Sequence, residues 1–489
     1  MENHESNEDR LEQSEDALNK NLSRREFLKI AGIAGASVGV AGGLGTLIAA
    51  CGGEEETTTT AGATTTTAGG TTTTGASTTV TTSAEMGREV KIGFVTPLTG
   101  ALASFGVPDK YCVERAQEAI GDGVVLGDGQ KHPITIITVD SQSDSNRAAQ
   151  VTGDLISNDK VDLITAASTP DTVAPVADQA EANSVPAITN DCPWQSYIAT
   201  RSGGDITATF KWTYHTFWGL EDVQANFLDM WGQVPNNKKV AAMFPNDADG
   251  NAWLPGWEPV WEPAGLAPTI PGQFQNLTED FTAQITEFKK EGCEIGMGVF
   301  LPPDFTNFWK QRAQQGWNPK LGTYAKALLF PQSIEALGDI GIGLTTEVWW
   351  TPAHPFTSSL VGETAQQFAD EFTKRTQLQW TQPLLHFIVF EMAVDALKRA
   401  TSVDDKEAIL AAIKTTKLDT IGGPIDFTEP VVGATPPFKV GPSHIVENVY
   451  KTPLVGGQWR KGTTWPYELT IVSNVAGPMI QTQDKVQSL

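Results

Sequence analysis

The amino-acid sequence predicts an α/β protein built from two doubly wound, Rossmann-like lobes. Short runs rich in valine and isoleucine alternate with stretches of helical spacing, and this alternation occurs in two series along the chain. Strands that are nearly continuously apolar are buried on both faces, which favours parallel sheets covered by helices on both sides. The chain has 489 residues, which is too many for one core on a prior of about 150 residues per domain.

The first series of predicted elements begins near Arg88. Residues 89–100 form a short apolar strand that ends in Pro, Thr and Gly, and apolar residues at helical spacing follow over 105–123. The alternation continues up to residue 191, with strands over 132–144, 161–168 and 185–191 and helices over 146–159 and 172–184.

The second series of predicted elements starts at residue 238. It has strands over 238–247 and 293–302 and helices over 279–292 and 305–316. A strand over 344–354, helices over 362–376 and 384–400, and a β-rich tail over 423–427, 444–459 and 469–474 complete the chain.

The loops that follow the predicted strands are the first place to look for a ligand site. In doubly wound sheets ligands bind beyond the carboxyl ends of the strands, where helix N-termini also point. These loops are rich in Ser, Thr, Asp, Asn, Pro and Gly, and they span 96–106, 140–145, 166–172, 189–195, 246–250 and 301–305. Such residues also cap helices, and for Thr172 and Asp304 capping is the alternative to ligand contact.

Residues 1–50 are predicted to be a signal peptide. A charged stretch, Ser23 to Lys29, precedes a run without charge over 30–50 that is rich in Gly and Ala. "SRREFLK" resembles the twin-arginine export motif at every position. Residues 48–51, "IAAC", resemble a bacterial lipobox, so Cys51 is the predicted lipidation site. An uncleaved membrane anchor is the alternative, and both place the rest of the chain outside the cytoplasm.

A flexible tether is predicted over 51–86. Threonine makes up 16 of the 26 residues from Thr57 to Thr82, and the others are almost all Gly, Ala and Ser. Such a segment has no apolar periodicity with which to offset the entropy of ordering. Glycosylation of the threonines is compatible with the composition, which alone does not decide it.

Composition and motifs argue against several classes of function. The formal charge of −24 is opposite to what phosphate binding requires, so no nucleic-acid partner is expected. Cysteine and histidine spacing predicts neither a metal site nor a cofactor. No GxSxG, GxGxxG or phosphate-binding loop occurs, and the chain is not predicted to be an enzyme. Cys192 is the one candidate nucleophile, with an inert buried thiol as the alternative. Beyond Cys51, three cysteines permit at most one disulfide.

Three stretches carry a resemblance to a known family. "VKIGFVTPLTGALASFG" (90–106), "DLITAASTPDTVAPVADQAEANSVPAIT" (162–189) and "FWKQRAQQGWNPKLGT" (308–323) resemble the solute-binding proteins of ABC importers. The branch is that of the leucine/isoleucine/valine-binding and amide-binding proteins, with the type I periplasmic binding fold. The resemblance covers about residues 88–460.

The resemblance implies discontinuous lobes joined by three crossovers, near Trp212–Tyr214, Trp349–Pro352 and Pro442–Ile445. Lobe 1 is then expected over 87–213 and 352–443, and lobe 2 over 214–351 and 444–489. It also implies a monomer, lipid-anchored outside the membrane, that captures a small solute between the lobes and docks on a permease. A lipid-anchored sensor for a signalling partner, or an extracytoplasmic enzyme, are the alternatives.

The second lobe departs from the amino-acid binders of that branch. Those proteins hold the ligand ammonium with a carboxylate where this chain has Ala325 and Lys326, and they have an aromatic residue in place of Asp249. The ligand therefore stays open among an amino acid, an amide and an aromatic or other organic acid.

Tryptophan is the other departure, since all 14 tryptophans lie at or after Trp194. Trp218, Trp231 and Trp309 are expected in the core, whereas for Trp194, Trp253 and Trp350 a position in the core and a position at the cleft are equally expected. A flat wall of tryptophan at the cleft would favour an apolar, aromatic or sugar-like ligand, or a cation over a ring face. Loops and resemblance together predict these ligand-binding residues: Ala103, Ser104, Phe105, Ser168, Thr169, Asp171, Thr172, Asn190, Asp191, Trp194, Asp247, Asp249, Trp253, Lys326 and Trp350.

Overall fold

A computed structural model describes residues 84–429, 431–432 and 445–489. The predicted signal peptide, Cys51 and the tether up to residue 83 lie outside the described residues. Met86, at the end of the predicted tether, forms a bridge with Lys131. Within the described part of the chain, no helix combines the length and apolar character that a membrane crossing requires.

The described strands occur in the order that the alternating pattern predicts. They are β1 (Val90–Thr96), β2 (Val124–Val125), β3 (Lys131–His132), β4 (Ile134–Asp140), β5 (Leu163–Ala167), β6 (Ala187–Asn190), β7 (Thr213–Thr216), β8 (Lys239–Met243), β9 (Ala267–Thr269), β10 (Ile295–Val299), β11 (Leu321–Ala325), β12 (Thr345–Val348), β13 (Lys417–Thr420), β14 (Gly423–Asp426), β15 (Val431–Val432), β16 (Ile445–Val446), β17 (Val449–Tyr450), β18 (Val455–Lys461) and β19 (Tyr467–Ser473).

Helices separate most of these strands. They are α1 (Asp109–Ile120), α2 (Ser145–Asp154), α3 (Pro170–Ala182), α4 (Trp194–Ser202), α5 (Leu220–Gly232), α6 (Ala248–Trp261), α7 (Thr282–Glu291), α8 (Pro302–Gln315), α9 (Pro331–Leu337), α10 (Ala365–Thr376), α11 (Ile388–Arg399) and α12 (Lys406–Lys414). A π-helical turn, Leu155–Asp159, extends α2, and 3₁₀ turns occur at Gly338–Gly341 and Gln382–Phe387.

The first of two large sheets is entirely parallel and has the order β4-β1-β5-β6-β7-β17. β1 lies between β4 and β5, so Phe94 is opposite Thr138 on one side and Thr165 on the other. The strand order therefore reverses at β1. We call this sheet, with α1–α4 and α10–α12, lobe 1.

The second large sheet has the order β9-β8-β10-β11-β12-β18-β19. Its first five strands are parallel, whereas β18 and β19 complete it as an antiparallel ribbon. Its strand order reverses between β8 and β10. We call this sheet, with α5–α9, lobe 2. The α/β class with two doubly wound sheets, as predicted, is confirmed.

The crossovers between the sheets differ in position from the sequence-based boundaries. β7 pairs with β6, so lobe 1 extends to Thr216, beyond the boundary expected at residue 213. β17 also pairs with β7, so Val449 and Tyr450 belong to lobe 1, although they lie in the segment 444–489 that the resemblance places in lobe 2. Both short strands add to an existing sheet edge, and a sequence pattern does not show which edge accepts a strand of two to four residues.

The core of lobe 1 is closed by α11. Its residues from Ile388 to Val394 are all buried, and the helix packs against β5 and β6. Because both faces of the sheet are covered, β5 is buried along its whole length. The predicted helix over 384–400 therefore appears as a 3₁₀ turn followed by a buried α-helix.

Tryptophan forms a stripe along one face of α6. Trp253, Trp257 and Trp261 are four residues apart, which places them on the same side of a helix. Trp257 stacks on Trp261 with ring centroids 4.8 Å apart and on Trp231 of α5 at 5.6 Å. This stripe fixes α6 against lobe 2 and leaves Trp253 at the helix end nearest the carboxyl ends of the strands.

Candidate functional site

A cavity of about 30 Å³ lies between the carboxyl ends of the strands of both sheets. We call it the interlobe cavity. Its lobe 1 wall comes from the loops after β1, β5 and β6 and consists of Phe105, Thr169, Pro170, Asp191, Cys192 and Pro193. Its other wall comes from the segments after β7 and from lobe 2, and consists of Phe217, Trp218, Asp249, Trp253, Val299, Ala325, Lys326, Leu329, Glu347 and Trp349.

The topology explains why the interlobe cavity forms there. In each sheet the strand order reverses, at β1 in lobe 1 and between β8 and β10 in lobe 2, and the loops beside a reversal diverge and leave a crevice. In lobe 1, Phe105 lies after β1 and Thr169 lies after β5. In lobe 2, Asp249 and Trp253 lie after β8, and Val299 is the last residue of β10. The two crevices face each other across the interlobe cavity.

A lysine and three aspartates form a charged cluster beside the interlobe cavity. Lys326 Nζ is 2.8 Å from Asp249 Oδ2 and 3.5 Å from Asp247 Oδ2. Burial would lower the pKa of Lys326, but Asp249, Asp247 and Asp171 raise it above its ordinary value, so the side chain is an ammonium. Burial raises the pKa of Asp249 to about 6, even though Lys326 opposes this. The ammonium of Lys326 is thus shared among three aspartates.

Backbone geometry places the members of this cluster. Lys326 has a φ of 68°, in the left-handed region that most side chains avoid, directly after β11. At the start of α6, Asp247 Oδ1 accepts a hydrogen bond of 2.9 Å from the N–H of Gly250 and so caps the helix. A Cβ at position 250 would lie 1.7 Å from the carbonyl oxygen of Pro245, so the tight turn that presents Asp249 requires glycine.

Glu347 is a buried carboxyl group at the end of β12. Its Oε1 accepts a hydrogen bond of 2.8 Å from the backbone N–H of Lys326, and its Oε2 accepts one of 2.7 Å from the Thr346 hydroxyl. Burial nevertheless raises the pKa of Glu347 to about 8. Near neutral pH this group is therefore largely protonated and adds little negative charge to the interlobe cavity.

A buried chain of ionisable groups connects the 3₁₀ turn before α11 to the cavity wall. His386 Nε2 lies 2.7 Å from Asp191 Oδ2, and His386 Nδ1 lies 2.7 Å from Asp109 Oδ1. The Thr96 hydroxyl donates to Asp109. Burial alone would lower the pKa of His386, but the two carboxylates raise it to about 10. Burial raises the pKa of Asp191 to about 7 against the pull of His386.

Three polar groups on the interlobe cavity have no hydrogen-bond partner within the described residues. They are the hydroxyl of Thr169 and the indole Nε1 atoms of Trp218 and Trp253. All three side chains are buried. Buried polar groups in proteins are usually paired, so these three groups on the interlobe cavity are free to bond to a solute held there.

Six of the predicted ligand-binding residues line the interlobe cavity. They are Phe105, Thr169, Asp191, Asp249, Trp253 and Lys326. They come from both lobes and from several different loops, as expected for residues that follow parallel strands.

The other predicted residues do not line the interlobe cavity. Trp194 is buried and donates to Glu221 Oε1 at 3.3 Å. Trp350 donates to the carbonyl of Ile421 at 3.1 Å, and Asn190 donates to the carbonyl of Thr216. Asp171 and Asp247 lie beside the cavity, and Thr172 contacts the carbonyl of Thr169. Ser168, Ala103 and Ser104 are likewise absent from the lining.

Glu347 and Trp349 line the cavity but are not among the predicted residues, because the prediction depends on which side of the extended chain each side chain faces. Glu347 and Trp349 are two positions apart, so they point to the same side of an extended chain, whereas Trp350 points to the other. Choosing between the adjacent tryptophans requires that parity, and Glu347, the one ionisable residue of β12, is its signal in the sequence. Trp218 was expected in the core; it is buried, but it also lines the interlobe cavity.

Cys192 lines the interlobe cavity without the features of a nucleophile. Burial raises the pKa of its thiol well above the ordinary value, and the nearby carboxylates add to the effect. The ring of His215 is held by the Thr189 hydroxyl at 2.9 Å and the carbonyl of Cys192 at 2.8 Å. Burial lowers the pKa of His215 to about 3, so no thiolate–imidazolium pair forms. The described residues also contain no cluster of His, Cys, Asp and Glu suited to a metal ion.

The chain is similar to known extracytoplasmic binding proteins over most of its length. A family model described as periplasmic binding protein matches residues 89–438. The Leu/Ile/Val-binding protein homolog 3 of Brucella melitensis is 20% identical over 364 residues, which cover 72% of this chain and 90% of that protein.

Two solved structures share the fold. The leucine-binding protein of Thermotoga maritima has a TM-score of 0.62 at 18% identity, and the match covers 79% of this chain and 99% of that one. A solute-binding protein of Rhodopseudomonas palustris, in complex with 3,4-dihydroxybenzoic acid, has a TM-score of 0.61 at 20% identity over 81% of this chain and 99% of that one.

Proposed function

The chain belongs to the periplasmic binding protein family, and we propose that it is the receptor of an ABC importer that captures a small solute in the interlobe cavity and delivers it to a membrane permease. The observation that carries this proposal is the set of unpartnered polar groups on the interlobe cavity. Thr169 belongs to lobe 1, Trp253 belongs to lobe 2, and Trp218 lies just after β7. A solute that bonds to these groups ties the lobes together.

Capture would follow from hinge motion between the lobes. A ligand shifts a hinge equilibrium only by its differential affinity for the closed form. Contacts from both walls supply that difference, because a solute bound to one lobe alone leaves the groups of the other unpartnered. The closed form then presents both lobes at once to the permease.

Three chemical classes of ligand are candidates: an amino acid, an amide, and an aromatic or other organic acid. The name of the Brucella melitensis relative favours the first, and the ligand in the Rhodopseudomonas palustris structure favours the last. Five aromatic rings on the interlobe cavity, those of Phe105, Phe217, Trp218, Trp253 and Trp349, suit a ligand with an apolar body.

We also place the protein outside the cytoplasm as a lipid-anchored monomer. The support is the sequence before residue 83: a twin-arginine motif, Cys51 in a lipobox and a threonine-rich tether. On this proposal the tether lets the two lobes reach a permease in the same membrane.

Intrinsic tryptophan fluorescence tests the binding proposal. The purified mature protein is screened against amino acids, amides, aromatic acids and sugars by fluorescence and by thermal unfolding. A true ligand at one hundred times its Kd stabilises the folded state by about 2.7 kcal/mol, which raises Tm measurably. In Thr169→Val, which keeps the shape but removes the hydroxyl, the fluorescence response to that ligand weakens. No response from any solute class contradicts a receptor function.

A further inference from the structure

The unpartnered groups on the interlobe cavity are mostly donors. The indole N–H of Trp218 and that of Trp253 can only donate, and their side chains are 2% and 1% exposed. Their rings lie 6.5 Å apart and nearly perpendicular, at 84°, on the same wall. The Thr169 hydroxyl, 3% exposed, can donate as well. The ligand therefore has to offer a hydrogen-bond acceptor.

The charge of the lining argues against an anionic acceptor. Among the described residues, Lys326 is the only cationic side chain of the lining, and its ammonium is already bound by Asp249 at 2.8 Å and flanked by Asp247 at 3.5 Å. Asp191 and Glu347 also line the cavity, but burial raises the pKa of Asp191 to about 7 and that of Glu347 to about 8, so the negative charge comes mainly from Asp249 and Asp247. A carboxylate placed there would meet two aspartates that share one ammonium, and no free cation within the described lining.

A cation is disfavoured for the opposite reason. Acidic lining groups would attract it, but an ammonium has no lone pair to offer to an indole N–H. The donors of Trp218 and Trp253 would then stay buried and unsatisfied, which costs free energy in every closed complex. A zwitterion combines both disadvantages, because its carboxylate meets the acidic lining.

We propose that the interlobe cavity takes an uncharged carbonyl compound, such as a ketone, lactone or lactam, whose oxygen accepts hydrogen bonds from Trp218 and Trp253. The apolar body of the solute packs against Phe105, Phe217 and Trp349. This inference rests on the proposed receptor function and narrows its ligand. The present volume of about 30 Å³ holds roughly two water-sized groups, so the solute that the closed lobes enclose is small.

Pairs of solutes, each made of a ring compound and its charged, ring-opened form, test the charge argument. 2-Pyrrolidinone and 4-aminobutyrate differ by one water molecule, as do γ-butyrolactone and 4-hydroxybutyrate, but only the ring forms are uncharged. Cyclopentanone and cyclopentane form a third pair that differs in the carbonyl oxygen. Kd values are measured by tryptophan fluorescence and calorimetry. We expect each carbonyl ring compound to bind at least tenfold more tightly than its partner. Equal or tighter binding of the charged forms overturns the inference.

Indole variants test the assignment of the donors. Trp253→Phe and Trp218→Phe keep an aromatic ring but remove the N–H, and we expect each to weaken cyclopentanone binding about tenfold. Trp257→Phe is the matched control, because Trp257 lies on the same helix, is fully buried and also has an unpartnered Nε1, but does not line the interlobe cavity. Unchanged affinity in both cavity variants overturns the inference. If either variant does not fold, Thr169→Val is measured in its place.

The outcomes separate this inference from the receptor function. If the ring compounds do not bind but an amino acid or an organic acid does, the inference is wrong and the receptor function stands. If no solute of any charge binds, both are wrong.

Discussion

The side chain of Asp171, in the first turn of α3, accepts a hydrogen bond from the backbone N–H of Ala248, the first residue of α6, at 3.3 Å. α3 belongs to lobe 1 and α6 to lobe 2, so this bond joins the lobes directly beside the interlobe cavity. Burial raises the pKa of Asp171, and Lys326 opposes that shift. A hinge motion that separates α3 from α6 would break this bond.

Asp171→Ala is therefore expected to weaken ligand binding without unfolding either lobe. A hydrogen bond to a charged group contributes about 1.5–3 kcal/mol, and since this one is long we expect a loss of about threefold to tenfold in affinity, mostly as faster dissociation. Stopped-flow fluorescence with the best ligand measures it. Asp178→Ala on the same helix is the control, because Asp178 pairs with Arg201 within lobe 1. Equal losses in both variants contradict a role in closure.

The protonation of Glu347 makes stability depend on pH. Burial raises its pKa from 4.5 to about 8, so between these values the folded state keeps a proton that the unfolded state releases. The stabilising contribution is full below the ordinary pKa and is lost as pH rises toward about 8. When the pKa values of the folded and the unfolded state differ by one pH unit, the free energy of unfolding changes by about 1.4 kcal/mol. We expect the Tm of the native protein to fall over this window relative to that of Glu347→Gln, which cannot ionise.

Thermal unfolding of both proteins across the pH range measures this difference. Glu335→Gln, at an exposed position on α9, is the control and should follow the native profile. Parallel Tm curves for the native protein and Glu347→Gln would show that the carboxyl group is ionised throughout.

The three cysteines of the described chain are expected to be unreactive in the native protein. Cys112, Cys192 and Cys293 are free and buried, and burial raises the pKa of each thiol. A thiol reagent should titrate them only after denaturation, and a reductant should leave Tm unchanged. Rapid labelling of Cys192 in the folded protein would reopen the possibility of a nucleophile at the interlobe cavity.

Membrane attachment is expected to depend on Cys51. Cys51→Ala removes the thiol that would be acylated, so the exported protein should appear in the soluble extracytoplasmic fraction with an unchanged Tm. Fractionation and immunoblotting measure this, with Cys293→Ala as a variant that stays on the membrane. Retention of exported Cys51→Ala on the membrane would favour an uncleaved anchor over a lipoprotein.

The strands and the loops that follow them were predictable because local patterns determine them. Apolar runs such as Leu163–Ala167 reflect burial on both faces, and the polar loops after them lie at the cavity edge in any doubly wound sheet. Phe105, Thr169 and Asp249 could be placed at a cleft for that reason.

The remaining features depend on contacts between distant parts of the chain. His386 meets Asp109 and Asp191 only after the chain has crossed to lobe 2 and returned, so no local pattern marks the three as a unit. Whether Trp349 or Trp350 faces the interlobe cavity depends on the register of β12. The end of lobe 1 at Tyr450 depends on which sheet edge was free.

The late return of the chain to lobe 1 bears on how the protein is synthesised. The edge of the first sheet stays unpaired until Val449 and Tyr450 reach β7, and the second sheet needs β18 and β19 from still later in the chain. Neither lobe can thus reach its final form while the ribosome is still translating most of the sequence, and contacts so far apart slow folding. We expect a chain truncated before residue 449 to expose a sheet edge in both lobes and to aggregate, so the two lobes are not separable modules.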